Sequence, residues 1–188
     1  MTRMIALLRG VNVGKAKRVP MAELRALLAH LGYRDVATLL NSGNAVFTVD
    51  KGKPADQAAA IADGLLRAMK VDVPVVVKTT HELTAIVDEN PLAHEAAHPA
   101  RLLVAFVPAP RQLASLAPLA DLVKPPEKFC LGRHAAYLHC PAGLLQSAAG
   151  AALLGKVGRA ATTRNWATTL KLLALAQGAG KFSEGRQP

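Results

Sequence analysis

The chain has 188 residues, 51% hydrophobic and 19% charged, with 23 Lys and Arg against 13 Asp and Glu and only two cysteines. That balance fits a folded protein and excludes a disordered chain, and two cysteines cannot build a disulfide framework. No apolar stretch reaches membrane-spanning length, and the start MTRMIALLRG lacks the long apolar core and cleavage site of a secretory signal, so a cytoplasmic protein without membrane partners is expected.

Met4 to Leu8 reads as a strand ending at Arg9-Gly10. The loop GVNVGKAKRV follows, its two glycines and asparagine tolerant of left-handed backbone. Pro20 suits the first turn of a helix carrying Met21, Leu24, Leu27, Leu28 and Leu31 at helical spacing, and Gly32 stops it. Val36 to Leu40 is a second strand, Asn41-Ser42-Gly43-Asn44 a turn, and Ala45 to Val49 a third strand. Pro54 opens a helix with Ala58, Ile61, Leu65 and Met69 on one face, and Val73 to Val77 is a fourth strand placed at an edge by Pro74. The order β-α-β-β-α-β is the ferredoxin-like plan, with helices on one face of an antiparallel sheet.

Thr79-x-x-Glu82 has the spacing of a capping box, and Leu83, Ile86 and Val87 mark a linking helix ended by Asn90-Pro91. The stretch NPLAHEAAHPA is the expected domain boundary. Beyond it the plan recurs: a strand at Leu102 to Val107, a short helix broken near Pro118, a hairpin of Lys128 to Leu131 and Ala136 to Cys140, and a weakly specified helix at Leu144 to Leu154. The last helix is expected from about Thr163 to Gln177, standing where a strand would complete the plan. The expectation is α+β: a ferredoxin-like subdomain at 1–78, a linker at 79–100, a modified second subdomain at 101–178 and a flexible tail at 179–188.

Gly10-Val-Asn-Val-Gly14-Lys15 is not a phosphate loop, which needs four residues between its glycines and Ser or Thr after the lysine; Ala16 stands there. In a β-α-β-β-α-β unit, however, the first two strands are parallel. Their ends therefore bring Arg9, Asn12 and Lys15 beside Ser42 and Asn44, a set of donors suited to an anion. The alternative is that Asn12, Ser42, Gly43 and Asn44 simply satisfy tight turns. Thr163, Arg164 and Asn165 form a second cluster, read as a helix start whose free N–H groups attract anions. An arginine in that first turn opposes the macrodipole unless an anionic partner offsets it.

Cys130, His134, His139 and Cys140 do not make a zinc site, because adjacent strand residues point to opposite faces. No catalytic triad, paired carboxylate or cofactor motif stands out, so no cofactor or metal is expected. The acids are concentrated in the middle of the chain: none precedes Glu23 and none lies between Glu127 and Glu184. If the two ends meet, they form a positive surface. Four Phe, two Tyr and one Trp are too few for base stacking, which leaves weak, charge-driven nucleic-acid binding as an alternative to a small anionic ligand. A structural or interaction module, its polar motifs serving only turns and caps, is the third reading.

ALLRGVNVGKAKRVPMAELRALL resembles a widespread bacterial family, domain of unknown function sixteen-ninety-seven. So do Asn41-Ser42-Gly43-Asn44-Ala45-Val46-Phe47, Asn90-Pro91, and Thr162-Thr163-Arg164-Asn165-Trp166 with Thr168 and Thr169. The chain departs from the family's pattern at Val11, where isoleucine is common, and at Lys15, where a second glycine is common. The resemblance implies two ferredoxin-like subdomains and implies no activity or catalytic residues.

Overall fold

A computed structural model describes residues 1–14, 17–94 and 97–178. Lys15 and the expected tail 179–188 lie outside the described residues. The architecture is mixed α+β, with two four-stranded antiparallel sheets in strand orders β2-β3-β1-β4 and β6-β7-β5-β8. The first sheet comprises β1 (Thr2–Leu8), β2 (Arg34–Leu39), β3 (Asn44–Val49) and β4 (Val75–Thr79); α1 (Met21–His30) and α2 (Pro54–Met69) make the crossovers. Leu24, Leu28, Ile61 and Leu65 of these helices bury against Met4, Ala6, Leu8, Phe47 and Val77. β4 is an edge strand, with Pro74 just before it.

The second sheet comprises β5 (Leu102–Phe106), β6 (Lys128–Leu131), β7 (Ala136–His139) and β8 (Thr162–Asn165). The segment Pro110–Leu122 winds as 3-10 turns rather than an α-helix, with Pro118 inside it, consistent with the missing N–H of proline. It packs with α4 (Ala148–Leu154) on the outer face, against Leu103, Ala105, Val107 and Leu138.

Two expectations are corrected. Thr162 to Asn165 do not begin the last helix. They form β8, paired antiparallel with Leu103 to Phe106, and α5 runs from Trp166 to Ala176. Asn165 is the N-cap, its Oδ1 accepting from the Thr168 N–H at 2.8 Å. Arg164 is therefore a strand residue, and the conflict with a helix macrodipole does not arise. The strand wins because two adjacent β-branched threonines favour extended backbone and pairing buries Thr162 and Arg164.

Nor are the helices confined to one face of each sheet. The linking helix α3 (Thr80–Asp88) and α5 contribute to a central layer between the sheets, where Ile5, Leu7, Val46 and Val76 meet Leu83, Ile86, Leu102, Val104, Phe106, Trp166 and Leu172. This explains why MIALL and AVFTV run apolar without alternation: both faces of those strands are buried, as the unbroken burial of β3 shows. Thr79 and Glu82 make the expected capping box at the start of α3.

The turn before β3 carries local strain. Leu40 has φ 57° and is 54% exposed, an uncommon backbone for a side chain of its bulk. Leu40→Gly is expected to stabilise the protein by about 0.5–1 kcal/mol, the left-handed cost outweighing glycine's entropy. Urea melts of the two proteins measure it; a less stable variant would show that the leucine packs more tightly than its exposure implies.

Candidate functional site

β1 and β2 run parallel on either side of β3, so the segment after β1 and the β2–β3 turn emerge at one end of the first sheet. The Leu8 N–H donates to the Gly43 carbonyl at 2.8 Å, locking the two together. Gly43 has φ 75°, and a Cβ there would stand 2.6 Å from Val11 Cγ2 and 2.7 Å from Leu8 Cβ. Only glycine fits. β8 brings Arg164 to the same end from the second sheet.

Arg164 is 8% exposed. Its Nε donates to Asn44 Oδ1. Nη1 donates to Thr162 Oγ1 at 3.0 Å and the Thr163 carbonyl at 2.7 Å. Nη2 donates to the carbonyls of Leu8 at 2.8 Å and Ser42 at 3.0 Å, with Gly43 more distant at 3.4 Å. Every acceptor is neutral, and among the described residues no carboxylate lies within 4 Å. Burial pushes the guanidinium down to about 10, so it stays charged at neutral pH without a counter-ion.

Arg9 stands nearby. Its Nη1 donates to the carbonyls of Gly158, at 2.7 Å, and Arg159, and its Nη2 to that of Leu154 at 3.3 Å. Burial, and then the charge of Arg159, lower its pKa. Between the two arginines lies a cavity of about 260 Å³. Its wall is aliphatic at Leu8, Val11, Val13, Leu153, Leu154 and Ala161, and polar at Arg9, Ser42, Thr162, Thr163 and Arg164.

The structure thus brings together Arg9, Ser42, Asn44, Thr163 and Arg164 from three separate stretches of chain. Asn44 is fully buried and donates from Nδ2 to the Leu39 carbonyl and Ser42 Oγ, both at 2.9 Å. Asn12 turns into its own loop: it pairs with both main-chain groups of Val19 and donates to the Asn41 carbonyl. Asn165 is occupied in capping α5. Neither Asn12 nor Asn165 lines the cavity.

Two ionisable groups escaped the sequence reading. Lys78 is 3% exposed; its Nζ is 3.4 Å from the Pro108 carbonyl and 4.0 Å from Glu82 Oε1. Burial pushes its amine down, and the Glu82 charge offsets part of that. Glu89 follows α3 and accepts from the N–H groups of Arg133, His134 and Ala135 and from the Tyr137 hydroxyl at 2.8 to 3.2 Å. Burial raises its pKa, but the four donors together outweigh burial and hold the carboxyl below its ordinary range. A lysine at the end of an apolar strand and an acid after a helix carry no sequence mark of such partners; only pairing across the molecule supplies them.

Among the described residues, no three His, Cys, Asp or Glu cluster as metal ligands and no helix is long and apolar enough to cross a membrane. Phe47, the one aromatic on β3, is fully buried and stacked on Tyr33 at 4.5 Å, so it offers no face to a base.

A family model described as "Protein of unknown function (DUF1697)" matches residues 1–137. No curated protein matches the chain. The fold is similar to that of the conserved bacterial protein SP0830 from Streptococcus pneumoniae, with a TM-score of 0.77 and 25% sequence identity over 93% of this chain and 98% of that one.

Proposed function

The chain belongs to the DUF1697 family of proteins of unknown function, and we propose that it binds a small anionic, phosphate- or carboxylate-bearing molecule in the cavity between Arg9, Ser42 and Arg164. One observation carries this reading: a buried guanidinium with no carboxylate beside it forms the wall of an open cavity. A buried charge without a counter-ion is costly, and an anion entering from solvent would supply one. The cavity also has the composition of ligand sites, mostly apolar with a few converging polar groups. We read the segments 1–78 and 101–178, joined by 79–100, as tandem ferredoxin-like subdomains; the repeated strand order supports this. The cavity then sits where the ends of the two sheets meet.

A scaffolding role is the second reading, and it too has an observation in its favour. Each Arg164 donor already meets an oxygen of the protein, so the network holds without a ligand.

Thr163 separates the two. The residue lines the cavity, and its hydroxyl has no bond to another described residue. Thr163→Val keeps the β-branched shape and is expected to change the stability of the free protein by no more than about 0.5 kcal/mol. It should also remove most of the stabilisation given by a bound anion. Melting of both proteins against carboxylates, sugar phosphates and nucleotides tests this. If no anion raises the wild-type midpoint, or if the variant responds equally, the binding reading falls and scaffolding stands.

A further inference from the structure

We infer that the ligand is a monocarboxylate with a short apolar tail rather than a phosphate ester; this rests on the anion-binding reading above. Phosphate sites offer a free guanidinium fork, an ammonium or a run of backbone N–H groups to a doubly charged head. Here the five hydrogens of Arg164 go to Asn44 Oδ1, Thr162 Oγ1 and the carbonyls of Thr163, Leu8 and Ser42. Arg9 gives both hydrogens of Nη1 and one of Nη2 to the carbonyls of Gly158, Arg159 and Leu154. No bidentate fork remains at Arg164, and six main-chain oxygens facing the two cations offset part of their field. What is left suits one negative charge better than two.

Beyond the Nε hydrogen and one Nη2 hydrogen that Arg9 keeps, the remaining donors are hydroxyls. Ser42 Oγ accepts from Asn44 and Thr162 Oγ1 accepts from Arg164, so each keeps its own hydrogen to donate. Thr163 lines the same cavity, and its Oγ1 has no bonded partner among the described residues. The Ser42 and Thr163 hydroxyls, with the hydrogens Arg9 keeps, suit the acceptor sites of a single carboxylate, which holds about four lone-pair positions. The opposite requirement comes from the rest of the wall, which is aliphatic. Val13 is 73% exposed and Leu154 47% exposed, and both line the cavity. An apolar tail would cover them. At ~30 Å³ per water-sized group, the volume holds on the order of ten non-hydrogen atoms, the size of a six- to eight-carbon acid.

The test is calorimetric titration of the full chain with acetate, butanoate, hexanoate, hexanol, inorganic phosphate and butyl phosphate. Affinity is expected to rise from acetate to hexanoate by about fourfold per added methylene, with hexanoate exceeding both phosphates by at least tenfold. Thr163→Val should weaken hexanoate about tenfold, the effect of one charge-assisted hydrogen bond. Butyl phosphate binding more tightly than hexanoate would overturn the carboxylate inference and leave the anion reading intact. Hexanol matching hexanoate, or none of the six binding, would overturn both. Hexanoate binding unchanged in Thr163→Val would place the acid elsewhere and overturn the inference.

Discussion

Replacing Arg164 by alanine should lower the stability of the free protein by about 3–5 kcal/mol, through the buried oxygens it leaves without charge-assisted bonds. The side chain ties β1, the β2–β3 turn and β8 together through Leu8, Ser42, Asn44 and Thr162. Without it, several buried oxygens lose charge-assisted bonds, each costing about 1.5–3 kcal/mol. Two effects limit the total. The cost of burying the guanidinium disappears, and water can enter from the cavity. Arg164→Lys should recover little, because one ammonium cannot reach acceptors spread around a planar fork. Denaturant titration checks both variants, and an Arg164→Ala midpoint equal to wild type would show that the network contributes no net stability. A large loss also means that Arg164 is not free to grip a ligand by itself. Its charge attracts an anion while the hydroxyls around it make the contacts.

Glu89→Ala should lower stability by about 2–3 kcal/mol at neutral pH, after allowing for solvent screening of a partly exposed carboxylate. Three backbone N–H groups of the β6–β7 turn and the Tyr137 hydroxyl would lose their common acceptor. The sign of the pH effect follows from the lowered pKa. The folded carboxyl releases its proton more readily than the unfolded one, so the unfolded chain binds more protons in the window between them. The contribution of Glu89 is therefore complete above the ordinary glutamate value, about 4.3, and is lost as pH falls through the lower folded value. Wild-type stability should decline over that window by more than that of Glu89→Gln. Parallel curves for the two proteins would rule out this linkage.

The sequence reading succeeded where local chemistry and topology agree. Proline and glycine punctuate α1 and α2, Thr79 and Glu82 announce α3, and the parallel relation of β1 and β2 places Arg9 beside Asn44. It failed where structure depends on distant partners. β8 is four polar residues leading straight into α5 without a loop. Its strand character comes from pairing with β5, and the same TTRN letters also suit a helix cap. The convergence of Arg9, Asn44 and Arg164 had a visible basis, whereas the carbonyls that occupy the guanidiniums did not. Backbone acceptors carry no sequence signature. Glu89 shows the same limit, since its donors lie 44 to 48 residues away.

The central layer has a consequence for how the protein is made. Ile5, Leu7, Val46 and Val76 are covered by residues of β5 and α5, and the bond from Arg164 to Asn44 spans 120 residues. At ~5–20 residues per second, roughly ten seconds of translation separate those two residues. Late in that interval the nascent first sheet has α1 and α2 on one side, while its other side still lacks Trp166, Leu172 and Ala176 of α5. The ribosome-bound chain thus keeps part of its central layer open to water until α5 arrives. A premature stop before residue 162 would release a polypeptide without β8 and α5, the part of that layer they cover left open, fit for aggregation or degradation rather than for partial function.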